Sequence, residues 1–229
     1  MKISSGTLAL LKNFRDLNSN ILIKNGNIIK TLTPAKNVMA TAKVVETFPV
    51  EFGIWDLTSF LGTVSLFDDP DFEFSAKYVK IGDGNSSVKY FYSEPSLLTV
   101  PTKDINMPDS VVSFELTERI LNDLKKAAAV LNLSDLSIVS DGGEISAVVT
   151  DSKNTTSNSY SVSLGGGDES QEFNFDFKIE NLRFLSGDYE VEIAEKVVSQ
   201  FTNRNINLQY WAALESSSSF ARSEPAGVR

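Results

Sequence analysis

Two stretches decide how this chain is read: residues 48–62, FPVEFGIWDLTSFLG, and residues 173–187, FNFDFKIENLRFLSG. The first opens with Phe48, Val50, Phe52 and Ile54 at every second position, and the second with Phe173, Phe175, Phe177 and Ile179. Such alternation places one row of side chains on one face of a strand. Both then change period within a few residues, as a strand running into a short amphipathic helix does. Asp56, Leu57, Phe60 and Gly62 answer to Asn181, Leu182, Leu185 and Gly187, so all eight pairs share one offset of 125. Coincidence between common α+β patterns is the alternative. Agreement in register at every one of these positions favours duplication.

The repeat extends upstream. Thr7, Leu10, Leu11 and Phe14 match Thr117, Ile120, Leu121 and Leu124 at a shorter offset, which requires an insertion between helix and strand in the second copy. The first copy reads as a helix over 5–17, an Asn25–Gly26 hairpin within 21–29, strands over 38–45 and 48–53, a helix over 55–66, and strands over 72–75, 78–81 and 88–92. Pro95, Pro101 and Pro108 then break any regular element, so 94–109 reads as an extended connector. The second copy starts with a strand over 110–115 and a helix over 117–131. A hairpin follows through Asp141–Gly142–Gly143, then strands over 157–164 and 173–177 and a short helix over 179–185. Strands over 189–194, 197–201 and 206–212 complete it. The expected domains are therefore 1–93, the connector 94–109, and 110–216, followed by a low-complexity tail, 217–229, that is disordered or foreign to the natural protein.

Composition narrows the function. The 229 residues include no cysteine and no histidine. That excludes disulfides, thiol nucleophiles, thiolate metal sites and every histidine-based triad, and moves the reading away from catalysis. A carboxylate-only metal site or a two-carboxylate hydrolase stays open. The net charge of −9 and pI of about 4.6 speak against nucleic acid unless the basic residues are sorted onto one surface. Neither a signal peptide nor a membrane-spanning run is seen, so a reducing cytoplasm is the expected setting.

Leu10–Leu11–Lys12–Asn13–Phe14, Asp56–Leu57, Phe60–Leu61–Gly62, Ser65–Leu66 and the closing Tyr210–Trp211–Ala212–Ala213–Leu214–Glu215 resemble, in order and spacing, the sliding clamps of T-even-like bacteriophages. Residues 77–108 depart most from that pattern. The resemblance implies an α+β fold of duplicated DNA-clamp domains, with antiparallel sheets outside and helices lining a ring. It implies a homotrimer that encircles double-stranded DNA without regard to sequence, tethers the replicative DNA polymerase and is opened by a clamp-loader ATPase in the host bacterial cytoplasm. No catalytic residue, cofactor or metal is implied.

Against that layout the charges sort. Lys12 and Arg15 share the helix face opposite Leu10, Phe14 and Leu17. Arg119 and Lys126 lie opposite Ile120, Leu124 and Leu131, with Lys125 at the flank, and Arg183 stands on the polar side of the short helix. Taken singly each is a solvated helix face; with the resemblance, they become the DNA-facing set. Phosphate contacts carry no sequence information and so permit sliding. The resemblance further implies a hydrophobic pocket for partner tail peptides, with Val38, Met39, Leu97, Leu98, Tyr210 and Trp211 as candidates; packing beneath the connector is their other reading. It also implies subunit contacts through edge strands, with Val88 and Tyr90 on one and Tyr160, Val162 and Leu164 on the other.

Gly165–Gly166–Gly167–Asp168 lacks the lysine and hydroxyl residue of a phosphate loop and reads as a turn. Asp68, Asp69 and Asp71 lack the glycine and closing glutamate of a calcium loop. Two rivals to the clamp remain: a structural or virion-assembly protein, and a carboxylate hydrolase, for which no convergent acid pair is found.

Overall fold

The computed structural model describes residues 1–154 and 156–222. The chain forms two compact units. One holds Met1–Asp104 with Asn207–Tyr210, and the other holds Ile105–Ile206 with the chain from Trp211 onward. The division between 104 and 105 falls inside the expected connector 94–109.

In the first unit, helix α1 spans Ser5–Leu17, capped by the Ser4 hydroxyl, which accepts the Thr7 N–H at 3.2 Å. It buries Leu10, Leu11, Phe14 and Leu17. The hairpin expected across Asn25–Gly26 does not form. Strand β1, Ile21–Ile23, pairs with a distant strand, while β2, Gly26–Leu32, pairs with β3, Val38–Phe48. The partner of β1 is β4, Phe52–Ile54, with Ile21 opposite Ile54. Burying the apolar rows of β1 and β4 against each other outweighs a local turn preference. Asn25 instead gives its amide to the Pro49 carbonyl at 2.6 Å, and Gly26 sits in β2 at φ 116°.

Strand β3 continues to Phe48, past the expected end at Val45. Its register against β2 slips, because Gly26 faces Phe48 whereas Ile28 faces Lys43. The alternation along β3 runs through the slip unbroken, so Val44, Glu46 and Phe48 face inward and Val45 is exposed. Helix α2, Leu57–Val64, is shorter than the expected 55–66. The Asp56 carboxylate accepts the N–H groups of Thr58 and Ser59 at 2.8 and 3.1 Å and so starts the helix at Leu57, with Trp55 left outside and exposed.

Strands β5, Asp71–Phe74, β6, Tyr78–Gly82, and β7, Ser87–Phe91, form a three-stranded sheet with β7 at its edge. Phe52 is the hub of the aromatic core, 5.7 Å from Phe48, 5.1 Å from Phe74 and 5.3 Å from Tyr92. The connector opens with one 3-10 turn, Pro95–Leu97, and Leu98 then packs onto Gly53. A Cβ there would stand 2.7 Å from the Leu98 side chain and 2.6 Å from the Ser93 carbonyl, so only glycine admits this approach.

In the second unit, β8, Ser110–Leu116, leads into helix α3, Glu118–Leu131, capped by Thr117 and closed by Asn132 in the left-handed region at φ 54°. Strands β9, Asp135–Asp141, β10, Glu144–Thr150, β11, Tyr160–Gly166, and β12, Gln171–Lys178, follow. The Asp141–Gly142–Gly143 hairpin joins β9 to β10 as expected, with both glycines at positive φ. In space β12 pairs with β9, as β4 pairs with β1 in the first unit, so the duplication holds in three dimensions. Strands β13, Tyr189–Ala194, and β14, Val198–Asn203, extend a second sheet from β8; β15, Leu208–Ala213, spans the point where the chain passes between units.

Three expected elements differ in this unit. The short helix over 179–185 is a single 3-10 turn, Ile179–Asn181. Leu182 and Phe184, two residues apart, are both buried, with Phe184 4.8 Å from Phe201; helical spacing would have carried one of them to the surface. Val197 belongs to a turn, at φ 78°, and β14 starts after it. The tail is structured over residues 217–222. Strand β16, Ser219–Arg222, pairs along β12, with Phe220 stacked on Phe175 at 6.3 Å. The Ser217 hydroxyl donates to the buried Asp176 carboxylate at 2.6 Å. Residues 223–229 of the expected tail lie outside the described residues.

Candidate nucleic-acid interface

On α1, Lys12 points to solvent and Arg15 is half-buried, its guanidinium 2.8 Å from the neighbouring Asp16. The helix is held at its start by Glu46, whose carboxylate accepts the Ser4 N–H and the Thr7 hydroxyl at 2.5 Å each. Burial would raise the Glu46 carboxyl, but those hydrogen bonds prevail and hold it below the usual range. No local motif announces this contact, because Glu46 lies 42 residues from Ser4 and 39 from Thr7.

On α3, Arg119 is 91% exposed and lies 3.8 Å from Asp123 one turn on, while Lys126 is exposed. Lys125 differs. It is half-buried beside a cavity of about 410 Å³ lined by α3 and residues 179–183, and its ammonium reaches the Phe184 carbonyl at 3.5 Å. Burial pushes it down to about 8. Arg183 is exposed and lines the same cavity. Of the expected DNA-facing residues, the structure thus presents Lys12, Arg119, Lys126 and Arg183 openly and holds Arg15 and Lys125 more closely. Asp16 and Asp123 temper the positive faces, a feature that helix spacing alone does not reveal.

The expected peptide-pocket residues are placed differently. Val38, Met39, Leu98 and Tyr210 are buried in the first unit, and Trp211 is buried in the second, where its indole N–H meets Gln200 at 2.9 Å. The Tyr210 hydroxyl donates to Asn13 at 2.6 Å. Leu97 alone is open. Packing therefore accounts for five of these six. The hollow beside the connector, about 720 Å³, is bounded instead by residues 22–30 and Val100–Asp104, including Leu22, Ile28, Val100 and Pro101, with an ion pair between Lys30 and Asp104. The partners of that pair stand 74 residues apart, so sequence spacing does not mark it.

Strand β7 is an outer strand of its sheet, and its Val88 and Tyr90 are half-buried between exposed neighbours. Strand β11 is an outer strand of the five-stranded sheet, and its Tyr160, Val162 and Leu164 alternate with exposed residues in the same way. Near the first helix, the carboxylates of Asp69 and Asp71 face the Lys2 ammonium at 3.1 and 3.5 Å. Among the described residues, no cluster of three or more carboxylates has the arrangement of a metal site.

Residues 113–216 match the family model described as the C-terminal part of the gp45 sliding clamp. The sliding clamp of Vibrio phage KVP40 is 32% identical over 221 residues, spanning 94% of this chain and 99% of that protein. That of Enterobacteria phage T4 is 30% identical over 230 residues, spanning 95% and 98%. The chain belongs to the phage sliding-clamp family. It is a DNA sliding clamp that serves polymerase processivity, and it is not an enzyme. The fold agrees. A solved structure of A. fulgidus PCNA with the C-terminal region of FEN-1 superposes with a TM-score of 0.65 over 93% of this clamp and 96% of that chain at 13% identity. The polymerase III subunit beta of Borrelia burgdorferi gives a TM-score of 0.68 at 13% identity, covering 95% of this clamp and 64% of that longer chain.

Proposed function

We propose that this clamp closes as a homotrimer around double-stranded DNA, with Lys12, Arg15, Arg119, Lys125, Lys126 and Arg183 toward the duplex. The observation that carries this reading is a pair of open edges. Strand β3 has β2 on one side, and on the other its Lys43 N–H reaches the Asn207 carbonyl at 2.9 Å. Its counterpart in the second copy, β11, has β10 on one side and no strand on the other among the described residues. Strand β7 is likewise unpaired on one side among the described residues. Open edges invite pairing, and a heterologous pairing that closes makes a cyclic oligomer. Retention on DNA is then topological, so the few exposed cations need supply only a weak, salt-sensitive attraction. The replicative polymerase and a clamp-loader ATPase are the protein partners of this reading. The hollow beside Val100–Asp104 and the exposed Leu97 are the surface offered to a partner's tail, and the host bacterial cytoplasm is the site of action. Among the described residues no helix is long and apolar enough to cross a membrane.

Light scattering after size-exclusion, at two concentrations, tests the assembly. A mass of three subunits supports the ring; a concentration-independent monomer or dimer overturns it.

A further inference from the structure

The first copy of the repeat fills the space beside its leading helix with α2, eight residues of α-helix. The second copy has only the 3-10 turn Ile179–Asn181 at that place, and a cavity of about 410 Å³ remains between α3 and that segment. Its walls are largely apolar, from Ala128, Leu133, Ile179 and Leu182, with Asn132 the one uncharged polar residue among them. Two cationic side chains line it, Lys125 and Arg183. Among the described residues Lys125 has no carboxylate partner, and its ammonium makes only the long approach to the Phe184 carbonyl.

We propose that Lys125 is a site of acylation by small acyl phosphates, which enter this cavity with their phosphate toward Arg183. The Lys125 nitrogen lone pair attacks the acyl carbon and forms the amide bond. The carbon–oxygen bond to phosphate breaks, its electron pair leaves with inorganic phosphate, and the nitrogen proton passes to water. No oxidant or reductant is required. Two features favour this lysine. Lys125 lines an open-sided cavity large enough for a small reagent, and burial without a carboxylate leaves much of its amine neutral, since its pKa falls from 10.5 to about 8. At pH 7.5 roughly a quarter of such an amine is unprotonated, against about one part in a thousand for an ordinary lysine. Lys126, the next residue, is exposed and serves as an internal reference. The acylation itself does not depend on the DNA-facing reading. Its consequence does: one cation per subunit would be removed from that face.

The test is to incubate the full chain in its native assembly with acetyl phosphate at pH 7.5 and follow each lysine by peptide mass spectrometry. The expected result is that Lys125 is acetylated about tenfold faster than Lys126 and Lys12, the gain in neutral amine being partly offset by burial. The lead should vanish in denaturant, and Arg183→Ala should slow Lys125 without slowing Lys126. A Lys125 rate no higher than that of Lys126, or a lead that persists in the unfolded chain, overturns the proposal. An unchanged Lys125 rate in Arg183→Ala overturns the phosphate role of Arg183.

Discussion

Asp135 and Lys178 face each other across the paired strands β9 and β12, joined by an ion pair in which the carboxylate is almost wholly buried. The Ser152 N–H and hydroxyl also donate to Asp135, at 2.9 and 2.7 Å. Burial opposes the charged form, but the Lys178 and Ser152 hydrogen bonds prevail and draw Asp135 down to about 2. A carboxyl depressed on folding stabilises the native state above its unfolded value near 4 and loses that contribution as pH falls toward 2. Asp135→Asn should therefore cost about 2 kcal/mol at pH 7 and little at pH 2. Melting temperatures of both proteins across that range check it: curves that stay parallel down to pH 2 would contradict the assignment.

The Glu46 contact with Ser4 and Thr7 makes α1 depend on a strand far along the chain. Glu46→Ala leaves the Ser4 N–H and the Thr7 hydroxyl without their acceptor, at a cost of about 1–2 kcal/mol. Because the Glu46 carboxyl is held low, its contribution is present above the unfolded value and lost as pH falls through the folded one. Hydrogen exchange should show the first turn of α1 losing protection while α3 keeps its own.

Arg119→Ala combined with Lys126→Ala removes the two open cations of α3. The slope of log affinity against log salt on duplex DNA should become shallower by roughly 0.9 for each phosphate no longer neutralised. A slope equal to that of the parent would remove these residues from the DNA face.

Val88→Lys and Val162→Lys place charge on the half-buried rows of the two open edges. Either change should convert a trimer to monomers in size-exclusion with light scattering while leaving the circular dichroism spectrum unchanged. A trimer that survives both would move the subunit contact elsewhere.

Val197 is a β-branched residue at φ 78° and is largely exposed, so it has little packing to lose. Its carbonyl accepts the Leu214 N–H at 2.9 Å, which helps hold the turn. Val197→Gly should stabilise the fold by about 1 kcal/mol, read as a higher melting temperature, because glycine adopts this conformation without strain.

Much of the fold is legible in one dimension. The two stretches at 48–62 and 173–187 announce the duplication through their shared spacing, although Phe48 closes β3, the strand expected over 48–53 forms only as β4, Phe52–Ile54, and only the first stretch carries an α-helix. The extents of α1 and α3 follow from helical spacing, and Ser4 and Thr117 cap them in the structure, α3 starting one residue later than expected. Other features depend on which distant surfaces bury each other. Asn25–Gly26 has the signature of a hairpin, yet β1 finds β4 because Phe52 and Ile54 offer it more apolar surface to cover. Residues 179–185 have helical spacing, yet Leu182 and Phe184 both turn inward and stop the helix after one turn. The run of serines before Phe220 reads as low complexity, yet it docks on Asp176 and the edge of β12.

Candidate function divides along the same line. Local periodicity sorts Lys12, Arg119 and Lys126 onto polar helix faces, and the absence of cysteine and histidine narrows the chemistry, because both are properties of short windows or of composition. The burial of Val38, Met39 and Tyr210, the hollow closed by Lys30 and Asp104, the recessed amine of Lys125 and the bare edges of β7 and β11 arise from contacts between residues tens of positions apart. Such contacts are chosen by the free energy of packing the chain as a whole, and no window of sequence contains it.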